Sequence, residues 1–314
     1  MGYNHGLNSL RSIMLLLGIV LHCSLPYLVY KIDSWDIVSD DTHLIHDLSV
    51  GFIHIFRMPF FFFLSGYLSS LSIAKNRSLN HFFKQRVQRL IIPLLFTYVT
   101  IIPLVYFVLE SDIPHSYFPP NWHVYHIWFL IMLVCFQPLL LLSFVKRGPM
   151  PKILEFFKTK ALLTTTILFL VSLVPMCFYF QGLAVAPVTM YFPMGTYLHY
   201  AAYFLLGAFL FHYHPIIEFS CRHGKKMLSL GCFVGLTSIM LMADVKDNTV
   251  FAILNTISCW LIILGCTGAA WNIKSTPKLL NFFSESSYGI YLYHLPFIFV
   301  LAPLLFLLNL LQTN

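Results

Sequence analysis

Apolar runs of about 20 residues, rich in Leu and Phe, recur from LRSIMLLLGIVLHCSLPY near the N-terminus to GIYLYHLPFIFVLAPLLFLL near the C-terminus. That is the length at which an α-helix crosses a hydrocarbon core about 30 Å thick. A transmembrane β-barrel requires short segments of alternating polarity, a pattern these runs do not follow. Hydrophobic residues make up 58% of the 314, and charged residues 10%. So little polar surface excludes a water-soluble globule and leaves an all-α polytopic membrane bundle.

Nine spans are expected, at about 10–30, 48–73, 90–109, 124–145, 161–180, 197–213, 227–243, 249–271 and 287–311. Charge gives them a direction, because cytoplasmic segments are enriched in Lys and Arg. With the N-terminus cytoplasmic, all but Lys31, Arg57 and Lys246 of the 19 cations fall inside. Of the 12 acids, only Glu155, Glu218 and Glu285 do so. The net charge of +7 is then a topology signal, with a secondary affinity for anionic lipid, and implies no nucleic-acid partner. The first span lacks a small-residue cleavage site and reads as a retained helix. The seven cysteines include no C-x-x-C pair and indicate neither a disulfide framework nor a zinc site, and no metal is expected. One membrane domain over 1–314 is expected, without repeats or a soluble appendage.

Polar residues inside such spans are costly, and function is their default explanation. Arg11 and His22 are eleven residues apart, which at about 100° per residue returns both to one helix face, roughly 16 Å apart along the axis. In the second span, IHIFRMPFFFFLSGY aligns His54, Arg57, Phe61 and Ser65 on one face, followed by Gly66. The plainer reading is an Arg57 that snorkels to the headgroups and a Ser65 bonded to its own backbone. The next loop, AKNRSLNHFFKQRVQRLIIP, carries five cations and no acid. Positive-inside topology explains most of that, but Arg86 and Arg89 stand three apart and offer two guanidinium forks suited to phosphate. NWHVYHIWFL sets Trp122, His126 and Trp128 at interface depth, as an aromatic belt or a sugar-stacking platform. SSYGIYLYHLPF aligns Ser287, Tyr291 and His294, whose plainer role is an interhelical hydrogen-bond triad.

Four of these segments, in this order, resemble the acyltransferase-3 family of integral-membrane acyltransferases: Arg11-x10-His22; FRMPFFFFLSGY with Arg57, Ser65 and Gly66; Arg86-x-x-Arg89-Leu-x-x-Pro93; and SYGIYLYHLP with Tyr288, Tyr291, His294 and Pro296. LNSLRSIMLLLGIVLHCSLPY, FIHIFRMPFFFFLSGY and HIWFL are similar to the periplasmic-glucan succinyltransferases within it. The likeness is dense in the first 130 residues and the last 30. Family members commonly have ten or more spans, so nine suggests a shorter variant or one misplaced span.

The resemblance implies transfer of a short acyl group, acetyl or succinyl, from cytoplasmic acyl-CoA to a hydroxyl of an extracytoplasmic glycan, at the inner membrane and with no permanently bound cofactor. Arg86 and Arg89 would hold the donor's phosphates, and Arg11 would guide its arm. His22 would be the general base, or a nucleophile that carries the acyl group. Arg57 or Ser65 would donate to the oxyanion. Trp122, His126, Trp128, Tyr291 and His294 are the candidates for binding the acceptor. The same intramembrane polar residues also suit a multi-span transporter or exporter, although no inverted repeat or broken helix pair is visible. A third reading is a non-catalytic partner of a polysaccharide-assembly machine.

Overall fold

A computed structural model describes residues 5–32, 38–75, 79–108, 124–144, 160–178, 193–241, 248–273, 275 and 278–312. These residues are helical throughout their ordered elements and contain no strand. The helices are α1 (His5–Ser24), α2 (Leu44–Lys75), α3 (Leu79–Arg86), α4 (Ile92–Val108), α5 (Trp128–Phe136), α6 (Ala161–Phe178), α7 (Met194–His212), α8 (Pro215–Leu241), α9 (Asn248–Ala270) and α10 (Lys278–Gln312).

Among the described residues, seven helices are long and apolar enough to cross a membrane. The expected spans at 124–145 and 287–311 correspond to shorter apolar helices, Tyr125–Leu140 and Ser286–Leu301. The first of these joins a 3-10 turn, Tyr125–Ile127, to α5 and the start of a 3-10 helix, Gln137–Phe144. There Pro138 has no N–H to donate into the α-helical ladder.

Other boundaries shift for local reasons. The first helix begins at His5, before the expected 10, because Leu7 and Leu10 are buried and Gly6 lies against the Ala270 carbonyl of α9. Arg11 is therefore nearly two turns inside α1. That helix ends at Ser24, where Leu25–Tyr27 tightens into a 3-10 turn around Pro26. Arg222, Lys225 and Lys226, expected in a loop, are exposed on the first half of α8.

The core is built on α2, whose Phe60, Phe62, Phe63 and Leu64 are fully buried. In lipid no hydrophobic force draws helices together, so close packing and interhelical hydrogen bonds must hold them. Phe62 sits among Trp128, Phe136 and Tyr200 at ring separations of 6.0, 5.4 and 4.9 Å. Helices α2 and α7 cross back to back at Gly66 and Gly207. A β-carbon at either would run into the other helix's backbone, at the Phe204 or Phe63 carbonyl. Between α8 and α9, the Ser258 hydroxyl donates to the Gly231 carbonyl at 2.8 Å.

Helix α1 lies against α2 and α10. Its exit is tied down by Asp47 near the start of α2, whose carboxylate accepts from the Val29 and Tyr30 N–H groups at 3.0 Å each. The register of α1 beside α2 and α10 is what builds the site.

Candidate active site

One face of α1 serves two sites. Arg11 and Leu15 line a cavity of about 830 Å³, and Gly18 and His22, further along the same stripe, face a buried polar cluster.

The cluster joins α1, α2 and α10. His22 Nδ1 and His294 Nε2 are 2.6 Å apart, and the two rings stack with centroids at 4.9 Å and an interplanar angle of 4°. His294 Nδ1 lies 2.5 Å from the Tyr291 main-chain carbonyl. A carbonyl only accepts, so His294 donates through Nδ1 and presents a lone pair at Nε2. His22 must then donate through its own Nδ1. The neutral His22 is thereby fixed in the tautomer whose Nε2 carries the lone pair, which is the form a general base requires.

Arg57 is buried beside this pair. Its Nη2 donates to the Tyr291 hydroxyl at 2.7 Å and to Met58 Sδ at 3.2 Å, with the guanidinium carbon 5.4 Å from the Tyr291 ring centroid. Among the described residues no carboxylate pairs with it. A guanidinium removed from water without a counter-charge is costly, and an anion placed against it recovers that cost. Gly18 makes the room: a β-carbon there would stand 2.6 Å from the Tyr291 ring and 2.8 Å from Arg57 Cζ.

His126 and Phe129 close the cluster. His126 Nε2 donates to the Leu292 carbonyl at 2.9 Å, and its ring meets those of His294 and Tyr291 edge-on at 5.1 and 5.7 Å. The residue before it, Tyr125, has φ of 39°, a left-handed conformation that costs a bulky side chain about 1–3 kcal/mol. Three imidazoles converge here: His22 Nδ1 and His294 Nε2 face each other, and His294 Nδ1 and His126 Nε2 face main-chain carbonyls. No group of three potential metal ligands occurs among the described residues.

Arg11, Lys75, Arg86 and Arg89 line the cavity together with Ser65, and among the described residues no acid does. Four cations around one concavity attract a polyanion. Arg86 and Arg89 are held there by a single π turn, Val87–Ile91, inserted between α3 and α4. The Tyr288 hydroxyl of α10 donates to the Arg89 carbonyl at 3.0 Å and fixes that turn.

Two residues expected to share a role are thus separated. Arg57 stands at the histidine pair, whereas Ser65, two turns on, faces the arginine cavity. Phe61, which lines that cavity with Ser65, contacts Phe129 at 5.3 Å, and Phe129 contacts Tyr291 of the cluster at 5.2 Å. Trp128 is 3% exposed and packs on Phe62 and Tyr200, so its faces are not open to a sugar. Tyr291 and His294, expected to bind the acceptor, are bonded to Arg57 and His22. Trp122 lies outside the described residues. His22 itself is half-buried, as is His54, one turn before Arg57.

The sequence reading missed Gly18, although its place on the Arg11–His22 stripe was a usable signal. It also missed the pairing of His22 with His294, for which spacing along the chain carries no signal.

A family model described as an acyltransferase domain matches residues 4–314. The chain is 26% identical to the "Glucans biosynthesis protein C" of Salmonella typhi, over 92% of this chain and 81% of the relative. It is 27% identical, with the same coverage, to the proteins of that name from Salmonella paratyphi B and Salmonella enteritidis PT4. No solved structure matches the chain.

Proposed function

Because this chain belongs to the acyltransferase-3 family and is a multi-pass membrane acyltransferase, we propose that it moves a short acyl group from cytoplasmic acyl-CoA to a hydroxyl of an extracytoplasmic glycan, with His22 as general base. The observation that carries this reading is the pairing of His22 with His294 beside the unneutralised Arg57. The names of its relatives support a glucan acceptor.

The donor's phosphates bind Arg86, Arg89, Lys75 and Arg11 in the cavity, and its arm runs inward along α1 past Leu15. The excess of cations on that side supports reading it as the cytoplasmic one, with the N-terminus there too, and the membrane we propose is the inner one. Surrounding lipid completes the environment.

Helix α1 spans the two sites: Arg11 and His22 are about 16 Å apart along it. The acceptor hydroxyl approaches His22, which is half-buried where Arg57 and His294 are buried. Nε2 of His22 takes the hydroxyl proton as the oxygen attacks the thioester carbonyl. The positive charge gained by His22 is stabilised through Nδ1–H by His294, itself held by the Tyr291 carbonyl. Arg57 faces the tetrahedral oxyanion, supplying the anion partner its burial calls for. Collapse breaks the C–S bond, the His22 proton passes to the departing thiolate, and the acylated glycan and CoA leave.

Mass spectrometry of extracytoplasmic glycans from cells with the protein or an empty vector tests the reading and names the acyl group. An added acyl mass only in cells with the protein is expected. Identical glycans in both would favour the transporter or assembly-partner reading.

A further inference from the structure

The cavity has a polarity gradient that its cations do not explain. At its mouth stand Lys75, Arg86 and Arg89, and at its inner end Leu15, Phe61 and Leu133. Between them the wall is neutral but polar. Its side chains include Gln137, the first residue of the 3-10 helix that follows α5.

Gln137 is 8% exposed. Its carboxamide nitrogen donates to the Leu133 carbonyl at 3.0 Å, which fixes the orientation of the group. Its Oε1 is buried and has no hydrogen-bond partner among the described residues. A buried acceptor left unmade is disfavoured, and one on a cavity wall is relieved by a donor carried in by the ligand.

Depth identifies that donor. Gln137 lies eight residues, about 12 Å, beyond Phe129, the ring that contacts Tyr291 in the histidine cluster. Phe61 touches Phe129, and Ser69, eight residues beyond Phe61 on α2, lines the same cavity. Gln137 and Ser69 therefore stand at one level, between the cations and the apolar inner end. A ligand that fits has an anionic head, N–H donors partway along, and an apolar reactive end. The pantetheine arm of a CoA thioester has this order, with two amide N–H groups between its pyrophosphate and its sulfur.

We propose that Gln137 Oε1 accepts a hydrogen bond from an amide N–H of the donor's pantetheine arm and sets how far the thioester advances toward His22. This rests on the acyl-CoA reading and adds to it a binding residue outside the basic motif. It also gives the junction of α5 with its 3-10 extension a role, because the junction turns a side chain onto the cavity wall.

The test measures binding of two probes, CoA and adenosine 3′,5′-bisphosphate, to the full-length protein in nanodiscs, for wild type and Gln137→Met. Methionine keeps the length and volume of the side chain but offers no strong acceptor. The expected result is CoA affinity reduced roughly tenfold, as for one lost hydrogen bond, with bisphosphate affinity unchanged. Unchanged CoA affinity overturns the proposal, and so does an equal loss for both probes, which would mark a disturbed cavity. If wild type binds neither probe, the acyl-CoA reading fails and the inference falls with it. A second variant, Gln137→Leu, also removes the acceptor and is expected to lower CoA affinity about as much as Gln137→Met, with bisphosphate affinity again unchanged. If Gln137→Leu binds CoA as wild type does, the acceptor role is wrong.

Discussion

The hydroxyl of Tyr291 holds Arg57 at 2.7 Å while the main-chain carbonyl of the same residue holds His294. One residue of α10 thus holds both the cation proposed to face the oxyanion and the imidazole proposed to orient the base.

Arg57 has no counter-charge among the described residues, so in the proposed mechanism its burial serves the reaction at the expense of stability. Arg57→Met is expected to leave the melting temperature in detergent unchanged or raised and to lower kcat by about 100- to 1,000-fold, as for loss of an oxyanion donor. Unfolding of the variant, or near-normal kcat, would count against the assignment. Thermal melts and transfer assays on one preparation supply both readings.

In the proposed mechanism His294 acts through His22, 2.6 Å away, as a positioning residue. His294→Ala is expected to lower kcat roughly 10- to 100-fold with little change in KM for the donor, since it removes a hydrogen bond to a group that becomes charged in the transition state. His294→Gln keeps an acceptor for His22 Nδ1–H and should recover part of that loss. Steady-state kinetics on the two variants distinguishes this from a packing role, which would not favour Gln.

The cavity arginines should affect binding and spare chemistry. Arg86→Ala and Arg89→Ala are each expected to raise KM for the donor roughly 10- to 100-fold with kcat little changed. The effect should shrink as salt rises, because screening already weakens the wild-type contact. A KM series across ionic strength measures it.

Gly18 is where α1 comes closest to the cluster. Gly18→Ala puts a methyl group 2.6 Å from the Tyr291 ring and so must displace Tyr291 and Arg57. The variant is expected to reach the membrane in normal amount but lose most transfer activity, at an overpacking cost of about 1–3 kcal/mol. Immunoblots of membrane fractions beside activity measurements separate the two effects.

Much of this was legible in the sequence, for identifiable reasons. Periodicity placed Arg11 with His22, and Tyr291 with His294, because helix geometry alone decides which residues share a face. Long apolar runs gave most of the helices, since lipid requires every backbone group to be bonded within its own segment. Which faces meet was not legible: His22 and His294 are 272 residues apart, and no local pattern in either helix names the other. The same limit assigned Arg57 and Ser65 to one site. They share a helix face, but two turns along α2 carry that face from the histidine pair to the arginine cavity. Local deviations such as the π turn at Val87–Ile91 and the positive φ of Tyr125 arise from tertiary packing that propensities do not contain.

The central claim is that His22 takes the proton from the acceptor. Its most direct test is transfer of a radiolabelled acyl group from CoA to glucan by the purified protein in nanodiscs, wild type against His22→Ala, with folding checked by thermal melt. The account predicts that a folded His22→Ala still binds CoA but transfers at least 100-fold more slowly. Transfer by His22→Ala at close to the wild-type rate would contradict it.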